Sequence, residues 1–218
     1  MRRWLALVVA LSAWAGEAAA DELRVCLLPM GPHDAYLLAR AAKGIPALYG
    51  FPVTVLDPVE LPKAAWTARR RRWRAEKLLD HIDAAVVPGS GCAVVIGFTK
   101  QDISTTKDDH EDWGVLGLGN LGGTSAVVST YRAGRGVKGR KKVAVRTIKV
   151  VNHELGHVLG APHDDVPGCL MNDARGTVKT IDRETGLLCA ESRATIEAAR
   201  GLVLPERDAF DWAAVLGN

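Results

Sequence analysis

Apolar residues along this chain follow two spacings, which predict strands and helices in a mixed order. Strands are expected at the continuous or β-branched apolar runs of residues 23–28, 51–56, 92–98, 115–118 and 125–130. Helices are expected where apolar residues recur with helical spacing, or where long unbranched side chains run without Pro or Gly, at residues 33–49, 66–82, 143–159 and 191–202. This alternation predicts an α/β (α+β) fold built from packed layers.

Polar and glycine-rich segments separate the predicted elements. The glycines between residues 115–118 and 125–130 give these two strands the character of a hairpin. The acidic segment 108–112 is expected to be a solvated loop; a calcium loop is the alternative, although the regular spacing of oxygen ligands is missing. The basic runs 69–74 and 138–142 are expected to be solvated faces or helix ends, with binding of an anionic surface or substrate as the alternative.

The N-terminus has the pattern of a secretory signal peptide. Arg2 and Arg3 precede an apolar run at residues 4–14, and residues 18–20 are the small residues of a cleavage site. We therefore expect a signal peptide at residues 1–20 and a secreted or periplasmic protein. An uncleaved membrane anchor is the alternative, but the apolar run is shorter than the roughly 20 residues that span a bilayer. No other stretch is long or apolar enough, so no stable membrane insertion is expected.

Length and charge indicate that residues 21–218 form one domain. A chain of 218 residues with a formal net charge of +3 suits a single domain and gives no global sign of nucleic-acid binding. We expect an upper lobe at about residues 21–160 and a lower lobe at about residues 161–218, with a cleft between them. The sequence sets no oligomeric state.

The candidate chemistry lies in one predicted helix. His153 and His157 are four residues apart and therefore lie on one helix face, about 6 Å apart along the axis, so their ring nitrogens can converge on one metal ion. Glu154 projects beside them, where it can accept a proton from water without being a ligand. The sequence predicts that His153 and His157 bind zinc and that Glu154 is the catalytic base.

The residues after this helix supply a third ligand. Gly160 can adopt the left-handed conformation that ends a helix, and Pro162 prevents the helix from resuming. The turn is expected to bring His163 to the same zinc ion. Three protein ligands leave one tetrahedral position open, which distinguishes a catalytic zinc from a structural one. The alternative, polar histidines on an exposed helix end, does not explain a Glu and a helix-ending Gly at these positions.

Four cysteines are candidates for disulfide bonds in an exported protein. Three connectivities are possible. Pairing of Cys26 with Cys92 and of Cys169 with Cys189 is favoured, because the first two begin apolar strand-like runs and the other two follow the zinc motif. An inhibitory bond from Cys26 to the zinc is an alternative that leaves Cys92 unpaired.

The pattern His-Glu-x-x-His-x-x-Gly-x-x-His at residues 153–163 resembles that of the metzincin peptidases, which carry a Met in a tight turn beneath the zinc. Met171 is the candidate for this Met-turn, with ordinary core packing as the alternative. The spacing of Cys169, Met171 and Cys189 is similar to that of the archaemetzincins, and weaker similarity is found upstream, at residues 70–82, 98–103 and 126–132. The resemblance implies a metzincin-like fold: a mixed twisted sheet with backing helices, a zinc-binding active-site helix and a small loop-rich C-terminal lobe.

The chain departs from the archaemetzincin pattern at two positions. Asp164 and Ser192 stand where that family has the first and last cysteines of a second, four-cysteine zinc site. Two thiolates alone do not make a closed structural zinc site. The resemblance therefore implies that Cys169 and Cys189 share the former site and form a disulfide after export, and that the protein holds one zinc ion.

These expectations combine into a secreted zinc metallopeptidase, of the endopeptidase or aminopeptidase type, that acts on a peptide or protein. Glu154 is its expected general base, and residues 126–130 are the strand expected to pair with the substrate backbone. Two other functions stay open: a secreted zinc-containing binding module without peptidase activity, and an amide hydrolase that acts on cell-wall peptides.

Overall fold

The structure is a computed structural model that describes residues 23–174 and 177–217. The expected signal peptide at residues 1–20 lies outside the described residues. The strands are β1 (Val25–Pro29), β2 (Val53–Val55), β3 (Trp66–Thr67), β4 (Arg72–Arg74), β5 (Val94–Thr99), β6 (Ile103–Lys107), β7 (His110–Val115), β8 (Gly117–Gly119) and β9 (Ser125–Ser129). The helices are α1 (Ala35–Tyr49), α2 (Ala75–His81), α3 (Val87–Ser90), α4 (Arg140–Val158), α5 (Val178–Arg183), α6 (Ala190–Arg200) and α7 (Trp212–Leu216).

The main sheet has five strands in the order β2-β1-β5-β9-β8. The first four strands run parallel, and β8 pairs with β9 in the antiparallel direction. Strands β1, β5 and β9 are buried along their whole length, as their continuous apolar sequences predict for strands covered on both faces. The expected hairpin of residues 115–118 and 125–130 is present as β8 and β9.

Helices cover the two faces of this sheet. Leu27 and Ile96 point into the core formed with α1 and α4, whereas Leu28 and Val95 point into the core formed with α2. Helix α1 begins where the side chain of Asp34 accepts hydrogen bonds from two backbone N–H groups of the first turn. The long helix α4 packs against α1 and against β8 and β9 of this sheet.

A second sheet, in the order β3-β4-β6-β7, differs from the sequence prediction. The helix predicted at residues 66–82 is wrong in its first half: residues 66–67 and 72–74 are strands, and the helix begins at Ala75. Trp73 pairs with Ile103 in the ladder between β4 and β6, so strand pairing overrides the helical preference of the long side chains.

The charged segments of this region agree with the predictions only in part. The acidic segment 108–112 is the turn and first part of β7, in a hairpin with β6, rather than only a loop. In the basic run 69–74, Arg69 is exposed as expected, but Arg72 is mostly buried and binds Asp102 at 2.9 Å. The arginines near β4 therefore hold strands together, while the basic run 138–142 is mostly exposed, as expected.

Helix α5 lies in the lower lobe that is expected to be loop-rich, and α6 matches the predicted helix at residues 191–202. The short helix α7 follows the last predicted element. Two disulfides join Cys26 to Cys92 and Cys169 to Cys189, the pairing favoured from the sequence. Helices in the described part of the chain lack the combination of length and apolarity that crossing a membrane requires.

Candidate functional site

Three histidines meet at the end of α4. The Nε2 atoms of His153 and His157 are 3.1 Å apart, and the Nε2 atom of His163 lies 3.2 Å from the first and 3.1 Å from the second. The helix places His153 and His157 one turn apart on one face, as their spacing predicts. The chain after the helix returns His163 to the same point, so the three predicted ligands lie together.

A turn at Gly160 produces this return. Gly160 has a φ of 111°, a conformation that glycine adopts easily, and its N–H donates to the His157 carbonyl. The N–H of Ala161 donates to the Gly156 carbonyl, which completes the hydrogen bonds at the helix end. The helix therefore ends where the sequence predicts, and the next residues can fold back beneath it.

Backbone carbonyls fix the orientation of two of the imidazoles. His153 donates from Nδ1 to the Leu170 carbonyl at 2.7 Å, and His157 donates from Nδ1 to the Ala161 carbonyl at 2.8 Å. A carbonyl only accepts, so Nδ1 carries the proton and each Nε2 presents a lone pair. Burial lowers the pKa of His153 to about 3 and that of His157 to about 4, so both rings are neutral at pH 7.

This arrangement fits a zinc ion. Neutral rings with lone pairs on Nε2 repel one another at about 3 Å unless a cation lies between them. Three nitrogens at the usual zinc distance in tetrahedral geometry are about 3.3 Å from one another, close to the 3.1–3.2 Å found here. Hydrogen bonds from Nδ1 to carbonyls are the common support for zinc-binding histidines.

Met171 packs beneath this cluster. The side chain is fully buried. Its sulfur lies against Gly156, which is on α4 between the first two histidines, so closely that a Cβ added at Gly156 would collide with it. The N–H of Asp164 donates to the carbonyl of Met171 at 3.0 Å, so the turn that carries His163 is bonded to the methionine. Met171 is thus in the position expected for a Met-turn residue and also packs in the core.

Glu154 faces the cleft beside the histidines from a buried position, with 7% of its surface exposed. Burial raises the pKa of its carboxyl to about 8, although the backbone N–H of Gly119 partly opposes this shift. A carboxylate with a raised pKa holds a proton well enough to act as base and then as acid near neutral pH.

Two glycines of β8, which were not predicted as site residues, bring the sheet edge against Glu154. A Cβ added at Gly117 would lie 2.5 Å from a carboxylate oxygen of Glu154, and a Cβ added at Gly119 would lie 2.6 Å from the backbone carbonyl oxygen of Glu154. The prediction that residues 126–130 form the accessible edge is wrong, because β9 is paired on both sides. Strand β8 covers it and is itself the edge beside the cleft.

The cleft has a volume of about 570 Å³ and contains all three histidines and Glu154. One wall comes from the second sheet and β8, and the other comes from α4, α5 and the residue that follows α5. Lys149 and Glu184 line it on the α5 side, and sequence reasoning missed both. Lys149 precedes His153 by one helical turn, a signal that could have indicated it; Glu184 has no such sequence signal.

The positions of the former cysteine site lie together below the Met-turn. Asp164 Oδ2 lies 2.7 Å from the Sγ of Cys169 and 3.0 Å from the Sγ of Cys189. The Ser192 hydroxyl donates to the same oxygen at 2.7 Å. The two sulfurs are bonded to each other and carry no proton, so Ser192 supplies the hydrogen bond that the carboxylate accepts here.

Comparison with known proteins agrees with this fold and site. Residues 55–195 match the metallo-peptidase family M12 (Reprolysin_5). The archaemetzincin of Halobacterium salinarum is 33% identical over 181 residues, which are 80% of this chain and 99% of that protein, and the archaemetzincin of Aeropyrum pernix is 29% identical over 81% of this chain and 94% of that protein.

Two crystal structures of archaemetzincins have the same fold. The structure from Methanopyrus kandleri has a TM-score of 0.71 at 21% identity and covers 84% of this chain and 97% of that chain. The structure from Archaeoglobus fulgidus, complexed with malonate, has a TM-score of 0.68 at 24% identity and covers 79% of this chain and 99% of that chain. The metzincin-like fold expected from the sequence is confirmed, and the chain belongs to the archaemetzincin family of zinc metallopeptidases.

Proposed function

We propose that this chain is an exported peptidase with one catalytic zinc ion, bound by His153, His157 and His163, in which Glu154 is the general base. One observation carries the proposal: a buried carboxylate lies in the same cleft as three converging imidazole nitrogens. Metal binding alone has no use for a fourth, buried acidic group, whereas peptide hydrolysis needs one. A zinc ion held by these nitrogens supplies a Lewis acid that acidifies water and polarises a carbonyl group.

The role of Glu154 is to move a proton. Its carboxylate takes a proton from the water that attacks the scissile carbonyl, and it then gives that proton to the leaving amine. Burial raises the pKa of this carboxyl, so it accepts a proton more readily than an exposed Glu does. Helix α4 holds the side chain rigidly, and β8 limits its movement from the other side.

Strand β8 is the proposed binding site for the substrate backbone. It is the last strand of the main sheet in the order β2-β1-β5-β9-β8, and it lines the cleft next to Glu154. An edge strand offers unpaired N–H and C=O groups to an extended peptide. The two glycines leave little bulk on this strand, so a peptide can lie close to the histidines.

The Cys169–Cys189 disulfide supports the proposal of a single zinc ion. The disulfide uses both thiols of the former second site, and Ser192 satisfies the carboxylate of Asp164. We expect one zinc per chain in the oxidised protein, measured by plasma mass spectrometry together with a thiol titration. Two zinc ions per chain, or two free thiols in the native protein, would contradict the proposal that a disulfide takes the place of the second zinc site.

Export is supported by two independent features. The basic, apolar and small-residue pattern at residues 1–20 is that of a signal peptide, and a chain with two disulfides suits an oxidising compartment. Expression of the full chain in a bacterial host, followed by fractionation and N-terminal sequencing, tests this. Mature protein that begins at Asp21 outside the inner membrane supports export, and uncleaved protein in the cytoplasm contradicts it.

The decisive test of the catalytic proposal is Glu154→Gln. This variant is expected to keep its zinc and to lose at least about 100-fold in kcat/KM on casein and on internally quenched peptides. Glu191→Gln is the matched control, because Glu191 is exposed on α6, outside the cleft. Undiminished hydrolysis by Glu154→Gln would refute the base. Wild-type protein that holds zinc but cleaves no peptide points to a binding module, and cleavage of cell-wall peptides alone points to an amide hydrolase.

A further inference from the structure

One side of the cleft combines apolar residues with two buried charged ones, Lys149 and Glu184, and we call it the α5 pocket. It lies on the side of the histidines towards the start of α4, and its lining comes from α4, the segment after Met171, α5 and the residue that follows α5. The residues that define it are Lys149, Val150, Ala174, Ile181 and Glu184.

Glu184 is a buried carboxylate that has no hydrogen-bond donor in the described part of the chain. Only 6% of the residue is exposed, and the side chain lines the cleft. Its carboxylate oxygens are not fully enclosed, and because the residue lines the cleft, their remaining exposure is towards the cleft. A mostly buried carboxylate without a protein donor is energetically unfavourable, and a partner that enters from the cleft, such as water or a ligand, is one explanation for it.

Lys149 does not neutralise this carboxylate by direct contact. Its ammonium group donates to the backbone carbonyls of Ile181 at 2.8 Å and of Glu184 at 2.5 Å, and it lies 5.8 Å from the ring of Trp212. These bonds hold the ammonium group at the end of α5, where its charge still acts on the carboxylate of Glu184. Burial raises the pKa of Glu184 to about 7 although Lys149 lowers it, so burial dominates over this attraction.

Other charges near the pocket leave Glu184 available. Lys107 and Asp173, which line the cleft, are paired with each other at 4.0 Å. The guanidinium of Arg146, one turn before Lys149 on α4, is bound by Asp182 through two hydrogen bonds of 2.7 Å. The carboxylate of Glu184 is therefore the group of this pocket that can receive a new cationic donor.

We propose that Glu184 is a specificity residue that binds a lysine or arginine side chain of the peptide substrate in the α5 pocket. The apolar walls suit the aliphatic stem of such a side chain, and the carboxylate at depth suits its charged end. A charge-assisted hydrogen bond formed away from water is strong, and it replaces the partner that the folded chain does not provide. This inference rests on the proposed peptidase function.

The first test is cleavage-site profiling of a mixed peptide library by mass spectrometry. Wild-type enzyme is expected to favour Lys or Arg at one position next to the scissile bond by at least tenfold over Leu. Glu184→Gln is expected to lose this preference while its kcat/KM on a peptide with Leu at that position stays within threefold. Glu191→Gln, with its exposed carboxamide, should keep the wild-type profile. Cleavage without a basic preference, or the same preference in Glu184→Gln, overturns the inference but leaves the peptidase function intact.

The second test measures binding without turnover. Zinc-loaded Glu154→Gln is titrated with a pair of peptides that differ only by Lys or Leu at the preferred position, using isothermal calorimetry. The Lys peptide is expected to bind at least tenfold more tightly, and adding Glu184→Gln should make the two affinities equal. Equal binding of both peptides to the Glu154→Gln parent, including undetectable binding of both, overturns the role of Glu184. If the zinc-loaded wild-type protein hydrolyses no peptide, the peptidase function itself is contradicted.

Discussion

Replacing Gly117 by Ala is expected to impair catalysis because the new methyl group displaces the carboxylate of Glu154. The added Cβ lies 2.5 Å from both Cγ and Oε1 of Glu154. An ordinary van der Waals contact begins at 3.4 Å, so the Glu154 side chain must move by about 0.9 Å. Since a displacement of about 1 Å in an active site can lower a rate by about 100-fold, we expect kcat/KM to fall by about two orders of magnitude.

The assay is hydrolysis of an internally quenched peptide, with zinc content and melting temperature measured on the same samples. Gly117 has no positive φ, so the backbone of β8 accepts Ala. The nearest atoms to the new methyl group belong to Glu154 and not to the histidines. Zinc content should therefore stay near one per chain. Gly134→Ala is the matched control, because its φ is not positive and a Cβ there meets no atom within 4 Å.

Activity of Gly117→Ala within twofold of the wild type, at unchanged zinc content, refutes the reasoning. It would mean that the carboxylate can move by about 0.9 Å without effect on the rate, which a general base in a fixed position cannot do. Loss of zinc from this variant also contradicts the reasoning, because the perturbation would then act on the ligands. The control must retain full activity for either result to count.

Three further predictions concern stability, each measured by urea unfolding. Burial raises the pKa of Glu184 from 4.5 to about 7, so its contribution to stability is fully present below about pH 4.5 and is lost as the pH rises through 7. The free energy of unfolding should fall by at most about 3 kcal/mol over this pH range, and the fall should be absent in Glu184→Gln. Identical pH profiles of the wild type and Glu184→Gln contradict this prediction. Replacing Cys169 and Cys189 together by Ser should lower the free energy of unfolding by about 3 kcal/mol, because the disulfide closes a loop of 20 residues, and an unchanged value contradicts a stabilising bond. Tyr49→Phe removes a buried hydrogen bond of 2.7 Å to the Asn152 carbonyl and should cost about 1–2 kcal/mol with kcat/KM unchanged, whereas a loss of activity without a loss of stability contradicts it.

The main sheet and its long helices could be predicted because their signals are local. Buried parallel strands need continuous apolar runs, and α1 and α4 repeat apolar residues at helical spacing. The second sheet could not be predicted, because its strands are stabilised by distant partners. Arg72 is held by Asp102, 30 residues later in the chain, and Arg74 donates to the Thr106 hydroxyl at 2.7 Å. Without these partners, a run of long side chains favours a helix.

The candidate metal site could be predicted from eleven consecutive residues, because one helix and one turn determine its geometry. The cleft around it required the fold. Gly117 reaches Glu154 through the pairing of β8 with β9, and Glu184 enters the cleft through α5, an element that the sequence did not indicate. Residues that depend on such long-range contacts leave no spacing pattern in a single sequence. The residues proposed for the chemistry are therefore encoded locally, while the walls of the cleft are not.

The two glutamates that line the cleft therefore differ in the expected effect of a mutation. Glu154 and Glu184 are both buried, and burial raises both pKa values, to about 8 and about 7. Glu154 lies where three imidazoles converge, so replacing it should affect every substrate equally. Glu184 follows α5, beside apolar residues and without a hydrogen-bond donor in the described part of the chain. Replacing it should stabilise the protein above pH 7 and affect only substrates with a basic side chain. A variant that gains stability and loses one class of substrate is the result expected for a residue kept for binding rather than for folding.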